Sequence, residues 1–453
     1  MSELEHPEED FTIDEPDSEE LLADDAGPQT DSHRIRVAEV TLPAVELLPP
    51  SHLSVDVEAI VAGQIGLEIL PTLPGPVKFA PGRLIEAGKA TISTGGSVST
   101  TGLALHRLGI TTRLMGKIGD DLFGQAILQL VEAQGGGLAR GMVLTRNATS
   151  PYSIIFAPPT GERTTLQAHG DSFDADDVRY DLLETAGLFH FGCPPSVTRM
   201  YNDEGAELAG AFARAKELGV TTALDLALPA PVTSIGKADW HAILSNVLPH
   251  VDVFLPDIEE LLYLLRRSTF DKLKVRAGRR GKILDFIGPE LFSELGRTLL
   301  DMGARIVAIK AGYRGLYLRT ADMQALERIG RAHPTNLTAW EKRELWAPCF
   351  STEVVATKGA GDATIAGFLM GLLRGMTPQA TLAAACAVGA CSVEAADALS
   401  GVKSWPETME RIAAGWPRLK LEKKGRPALK LAAAKWRWDD TYEVWIGPAD
   451  RSR

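Results

Sequence analysis

Val354-Val355-Ala356-Thr357-Lys358-Gly359-Ala360-Gly361-Asp362-Ala363-Thr364-Ile365-Ala366-Gly367-Phe368 is the most informative stretch of this 453-residue chain. A short apolar run enters Gly-Ala-Gly-Asp, after which Ile365, Phe368, Leu369 and Leu372 recur at i, i+3, i+4 and i+7, the spacing of one helix face. The glycines therefore fall at a helix N-terminus. With no side chains in the way, the amides of Gly359, Ala360 and Gly361 can converge on an anion, aided by the positive end of the helix dipole. Asp362 lies beside that anion hole, where a carboxylate can take the proton of an attacking hydroxyl during phosphoryl transfer. The same residues permit a plainer reading, in which Asp362 caps the helix and the glycines make a turn.

Outward from this motif the pattern is α/β. Val57 to Leu70 reads as a buried strand ending in a Gly-containing turn, and further strand-like runs fall at Ser153 to Ala157, Leu188 to Gly192, Thr222 to Leu226, Val251 to Leu255 and Arg305 to Lys310. Helical spacing at Thr100 to Leu108, Ala206 to Leu218 and Glu290 to Met302 alternates with them. Such alternation predicts a mostly parallel sheet covered on both faces, with ligands beyond the carboxyl ends of the strands. Thr381 to Val393 is nearly free of polar residues but too short to span a membrane, and reads as a buried helix.

The motif has companions in order along the chain. Gly95-Gly96-Ser97-Val98-Ser99-Thr100 opens a helix ending in Arg107-Leu108-Gly109, and Gly116-Lys117-Ile118-Gly119-Asp120-Asp121-Leu122-Phe123-Gly124 follows. Together with Gly359-Ala360-Gly361-Asp362 they resemble the signatures of the ribokinase-like (PfkB) carbohydrate kinases, with matching order from about Val57 to Val402. The resemblance implies a three-layer sandwich with a small β lid from segments within 84–115 and 152–167. It implies ATP and Mg2+ as co-reactants, Asp362 as general base and Gly359, Ala360 and Gly361 as the anion hole.

By the same resemblance, Asp257 and Glu260 in Pro256-Asp257-Ile258-Glu259-Glu260 would organise magnesium through its water shell; a capped helix start after Pro256 is the plainer alternative. Lys310, Gly312 and Gly315 would approach the nucleotide, Lys310 standing where Thr is common, and Cys386 would line the adenine pocket. Glu68, Gly95, Gly96 and Thr100 would face the acceptor. Here the pattern departs from the family: Glu68 replaces Asp, Thr100 replaces Asn and Ala227 replaces Asn, so the acceptor does not carry over from ribose or fructose kinases. Ala356 replaces an Asp that in many relatives helps bind a monovalent cation, and the Lys358 ammonium is a candidate substitute for that ion. A phosphosugar acceptor would need further cations, for which Lys117 and Arg163 are available. The lid either closes over a ligand or pairs two subunits into a homodimer.

Composition bounds the rest. The net charge of −12 argues against general nucleic-acid binding, and much of it lies in an acidic segment, residues 1–56, expected to be disordered. Four cysteines without a Cys-x-x-Cys pair suggest neither zinc nor disulfides, and the acidic start lacks the basic region of a secretory signal, so the cytoplasm is the expected location. The basic stretch 266–282 reads as a solvated loop or a docking surface. Residues 403–453, rich in Trp, read as an appendage to the kinase domain, residues 57–402, and Trp340 and Trp346 imply order in the region between Asp322 and Phe350. An active kinase is the leading function; a non-catalytic sensor of nucleotide or sugar on the same fold is the alternative.

Overall fold

Val57–Gly63 (β1) is buried at every position, as a strand covered on both faces must be. The computed structural model describes residues 56–75, 80–157, 164–171, 173–229, 235–278, 281–421 and 429–452. All of them belong to one compact unit, Glu46–Arg453. The acidic segment 1–56 lies, except for Asp56, outside the described residues, as do Arg163, Arg279 and Arg280.

In chain order the strands are β1, Gly66–Pro71 (β2), Ala90–Gly95 (β3), Thr112–Met115 (β4), Lys117–Gly119 (β5), Val143–Thr145 (β6), Tyr152–Phe156 (β7) and Thr164–Ala168 (β8). They continue with Ala186–Gly192 (β9), Thr221–Leu224 (β10), Val253–Phe254 (β11), Ile306–Lys310 (β12), Leu316–Thr320 (β13), Glu344–Ala347 (β14), Arg437–Asp439 (β15) and Val444–Ile446 (β16). Ten of the described strands form the central sheet in the order β15-β16-β14-β13-β12-β11-β10-β9-β1-β4. From β4 to β12 every pairing is parallel, and from β12 outward every pairing is antiparallel.

Alternate residues of β1 enter opposite cores: Ala59 and Val61 pack with the helices Ser97–Arg107, Ala360–Leu373 and Pro378–Ser392, while Ile60 and Ala62 pack with Ala206–Glu217, Trp240–Val247 and Pro289–Asp301. This is the expected three-layer α/β sandwich. A four-stranded sheet, β3-β2-β7-β8, stands apart as the lid. Its β2 arises because Gly63, at φ 129°, breaks the run that sequence reads as continuous to Leu70. The Thr111–Met115 segment, expected in the lid, is instead an edge of the central sheet, with Ala59 opposite Thr112 and Ala62 opposite Met115. Its alternation looks the same in either sheet; the partner decides.

Two further expectations change. The basic stretch 266–282 is not a solvated loop but contains the helix Arg267–Ala277. Phe270 is its one buried residue, set edge-on to Tyr263 at 5.3 Å, while Arg267 covers the Tyr263 ring and Arg276 that of Phe286. Leu273 and Ala277 pack beside Phe270 only partly buried, so the helix shows a weak apolar period among many charged residues, several of them lying over rings. Residues 403–453, expected as an appendage, add the helix Trp405–Ala413 and lengthen the sheet, with Trp445 opposite Trp346 across β16 and β14. Trp436 is 4% exposed and meets Tyr317 and Trp346 at 6.1 Å. Arg343 pairs with Asp450 at 2.9 Å beneath it all.

Candidate active site

The Ala360–Leu373 helix begins at Gly359, whose φ of 71° no β-substituted residue adopts without strain, and whose Cβ would lie 2.3 Å from the Ala398 Cβ. Asp362 sits in the first turn but makes no cap: the N-cap position has no side-chain hydrogen bond. Its carboxylate crosses to the Ser97–Arg107 helix instead. Thr100 Oγ1 lies 2.6 Å from Asp362 Oδ2, and Thr101 Oγ1 lies 3.4 Å from Oδ1. Of the amides expected to cradle an anion, that of Ala360 donates to Thr357 O at 3.3 Å. The Gly361 Cα faces open space; a Cβ there would meet only the Lys310 stem, at 3.6 Å.

On one side of Asp362 the lid contributes Glu68 from β2. Its carboxylate rests directly over Gly95, where a Cβ would come within 2.1 Å of Oε1, and Gly96, at φ 90°, lets the helix start pack on Gln64 O. Glu68 forms an ion pair with Lys358. Lys358 is therefore tied to the lid. Lys117, considered above as a cation for phosphate, is committed to Asp177 at 3.0 Å and Asp174 at 3.8 Å.

On the other side Lys310 ends β12, is 9% exposed and gives its ammonium to Leu255 O. Burial works against its charge, but the carboxylates of Glu260, Asp225, Asp257 and Asp362 hold its pKa above the ordinary lysine value. One ammonium does not neutralise four carboxylates. Burial accordingly raises Asp257 and Glu260, and pushes Asp225 up to about 7 despite Lys310. Burial also raises Asp362, opposed by the hydrogen bond from Thr100 and by Lys310. Asp257 and Glu260 form a reciprocal capping box, with Glu259 N–H donating to Asp257 at 2.8 Å and Asp257 N–H to Glu260 at 2.7 Å.

Among the described residues no three His, Cys, Asp or Glu side chains form a metal cage. Oxygen ligands in excess of positive charge nevertheless fit magnesium, which keeps most of its waters and takes its other ligands from phosphates. The Gly312–Arg314 turn follows Lys310, and Gly315, at φ 98°, admits no Cβ because Ala347 O would lie 1.9 Å away. Cys386 is 2% exposed, with its sulfur 3.7 Å from Ala347 O, and Cys349 reaches Gly312 O at 3.4 Å. Cys386 thus stands behind the Gly312–Gly315 turn.

This arrangement, a carboxylate at a helix N-terminus with cations on both flanks and glycines at close approaches, lies beyond the carboxyl ends of β9 to β12. The pfkB family carbohydrate kinase profile matches residues 72–405. The chain belongs to the pfkB family of carbohydrate kinases. It is 26% identical over 279 residues to an uncharacterised sugar kinase of Archaeoglobus fulgidus, covering 60% of this chain and 87% of that protein. It is 22% identical to fructokinase-2 of Oryza sativa over 69% of this chain and 79% of that one. Among solved structures, the fructokinase of Xylella fastidiosa with bound ATP superposes with a TM-score of 0.58 at 17% identity, covering 79% of this chain and 98% of that one. The ribokinase of Arabidopsis thaliana complexed with ribose and ATP gives 0.57 at 17%, covering 78% and 98%. The last two establish the fold.

This pfkB kinase is a phosphotransferase that uses a sugar hydroxyl as acceptor. Sequence reasoning missed Thr101 and gave no function to Asp225, which accepts from Cys193 N–H at 2.9 Å at the end of β10. Its position at the carboxyl end of a parallel strand was the available signal. His190 was also missed: both ring nitrogens are buried without a hydrogen-bond partner, and burial pushes its pKa down to about 3. Among the described residues no helix is long and apolar enough to cross a membrane.

Proposed function

We propose that this kinase transfers the γ-phosphate of ATP to a sugar hydroxyl with Asp362 as general base. The observation that carries the reading is the position of Asp362: partly buried in the first turn of the Ala360–Leu373 helix, with Lys358 and Lys310 acting on its carboxylate from either side. The acceptor lies among Glu68, Gly95, Gly96 and Thr100. The phosphates lie over the amides of Gly359 and Gly361, with the Ala360 amide recruited from its long contact to Thr357, and the nucleotide follows Gly312 and Gly315. Asp257 and Glu260 would hold magnesium through its water shell, where it would supply positive charge beside the phosphates.

In the transfer, the acceptor O–H bond breaks and its proton passes to Asp362 as the oxygen bonds to phosphorus. The bond from the γ-phosphorus to the bridging oxygen breaks, and ADP leaves with that electron pair. Burial, which lifts Asp362 above the ordinary aspartate value, brings the base closer to working pH. Lys358, set against Glu68, orients the acceptor. The net charge of −12 favours a cytoplasmic enzyme with small-molecule partners over a nucleic-acid-binding one.

The test is ATP consumption across a panel of sugars and sugar derivatives, with Asp362→Asn as control. Turnover falling at least about a hundredfold in the variant supports the reading. Ligand binding without turnover in the wild type points to the sensor alternative.

A further inference from the structure

Thr100 Oγ1 carries one proton yet lies within hydrogen-bonding distance of two oxygens. It is 2.6 Å from Asp362 Oδ2 and 2.9 Å from Gly96 O. A backbone carbonyl has no proton to give. Both contacts are therefore hydrogen bonds at once only when Asp362 is a carboxylic acid, which donates to Thr100 Oγ1 while Thr100 donates to Gly96 O. With Asp362 ionised, the threonine proton turns to the carboxylate, and the short contact is the length expected for a hydroxyl on an anion.

A bond from Thr to the carbonyl four residues back is common inside helices and by itself means little. Here the second partner is the base of the reaction. Thr100 is 7% exposed, so water does not readily replace either partner. Thr101 reaches the other carboxylate oxygen only at 3.4 Å. An amide side chain, such as the Asn common at this position in relatives, keeps its donor and acceptor on different atoms; a hydroxyl offers both at one oxygen.

We infer that Thr100 is a positioning residue that follows the proton on Asp362, donating to the ionised base before the acceptor is deprotonated and accepting from the acid afterwards. The inference rests on the reading of Asp362 as base. In the step, the acceptor proton ends on Asp362, and Thr100 merely swings its own proton toward Gly96 O. No other bond changes. The charged and titratable groups facing Asp362 are Lys310 at the end of β12, Lys358 before the helix, and Asp225 and Cys193 beyond β10 and β9. Substitution of Thr100 leaves all of them in place.

The experiment is a pH titration of the Asp362 carboxyl by difference infrared spectroscopy, its C=O band assigned with Asp362→Asn, alongside pH profiles of kcat. Thr100→Val removes the hydroxyl and keeps the branched shape; Thr100→Ala removes it with a smaller side chain; Thr100→Ser keeps it. Loss of a donor to the charged form favours the acid. Both hydroxyl-free variants should therefore retain the acid band to higher pH by about one unit, with the acid limb of kcat moving likewise, and Thr100→Ser should keep both transitions at the wild-type pH whatever the size of its kcat. An unshifted band in both hydroxyl-free variants overturns the inference, as does an equal shift in Thr100→Ser. The infrared titration reads Thr100 even in an enzyme without turnover, whereas an active Asp362→Asn variant would remove only the base assignment.

Discussion

The Lys358 ammonium pairs with the Glu68 carboxylate, joining the turn before the Ala360–Leu373 helix to the second strand of the lid. Both side chains are partly buried, at 25% and 13% exposure, so water only partly screens the pair. Lys358→Ala should raise the KM for the acceptor about tenfold while changing the KM for ATP little, and Glu68→Gln should do the same. Steady-state kinetics with each substrate varied provide the check. Potassium restoring the Lys358→Ala enzyme would show that the ammonium stands in for a cation at the phosphates instead.

Asp225 gives the fold a dependence on pH. Its pKa is raised from 3.8 to about 7 by burial, so the native chain binds a proton there that the unfolded chain has released. Stability from this group is fully present below pH 4 and is lost as pH rises toward 7. His190, lowered to about 3, acts in the opposite direction between there and its ordinary value of 6.5, so the wild-type curve alone does not isolate Asp225. Asp225→Asn removes the Asp225 titration and lessens the repulsion that helps to raise Glu260. Its stability relative to wild type should grow from pH 4 to 8, by at most roughly 4 kcal/mol, in denaturant unfolding. A difference constant with pH would refute the shift.

Gly359 and Gly361 separate folding from chemistry. Gly359→Ala forces a left-handed Ala and a collision with Ala398, and should cost about 2 kcal/mol or more of unfolding free energy. Gly361→Ala meets only the Lys310 stem at an ordinary contact distance, and should unfold like the wild type while losing most turnover, because its Cβ would crowd the phosphates. Thermal unfolding and kcat measured on the same preparations distinguish the two.

Trp436→Ala should cost about 3–5 kcal/mol, the loss expected for a large aromatic removed from a packed core. The ring touches Tyr317 and Trp346, so its cavity would open beside β13 and β14. A change below about 1 kcal/mol would mean that the C-terminal segment packs loosely.

Much of the site was legible because its chemistry is local. Gly359 to Asp362 announce a helix start and a carboxylate within four consecutive residues, and Gly95 and Gly96 announce a close approach, whatever lies opposite. The partners were not legible. Nothing near Thr100 says that its hydroxyl meets a side chain 262 positions away, and nothing near Lys358 says that it meets Glu68 rather than a phosphate. Lys310 looked like a nucleotide contact by resemblance to the family's strand-to-turn segment; in the fold its ammonium lies among carboxylates from three other elements.

The sequence by itself determined the alternation of strand and helix, the family and the turn that carries Asp362, since periodicity and glycine chemistry act over a few residues. Only the tertiary structure decided that Thr112–Met115 joins the central sheet, that the Trp-rich end completes its far edge and that Lys310 is ringed by acids. Those outcomes depend on which surfaces meet after collapse, and a run of apolar or charged residues carries the tendency to be buried or paired without naming its partner.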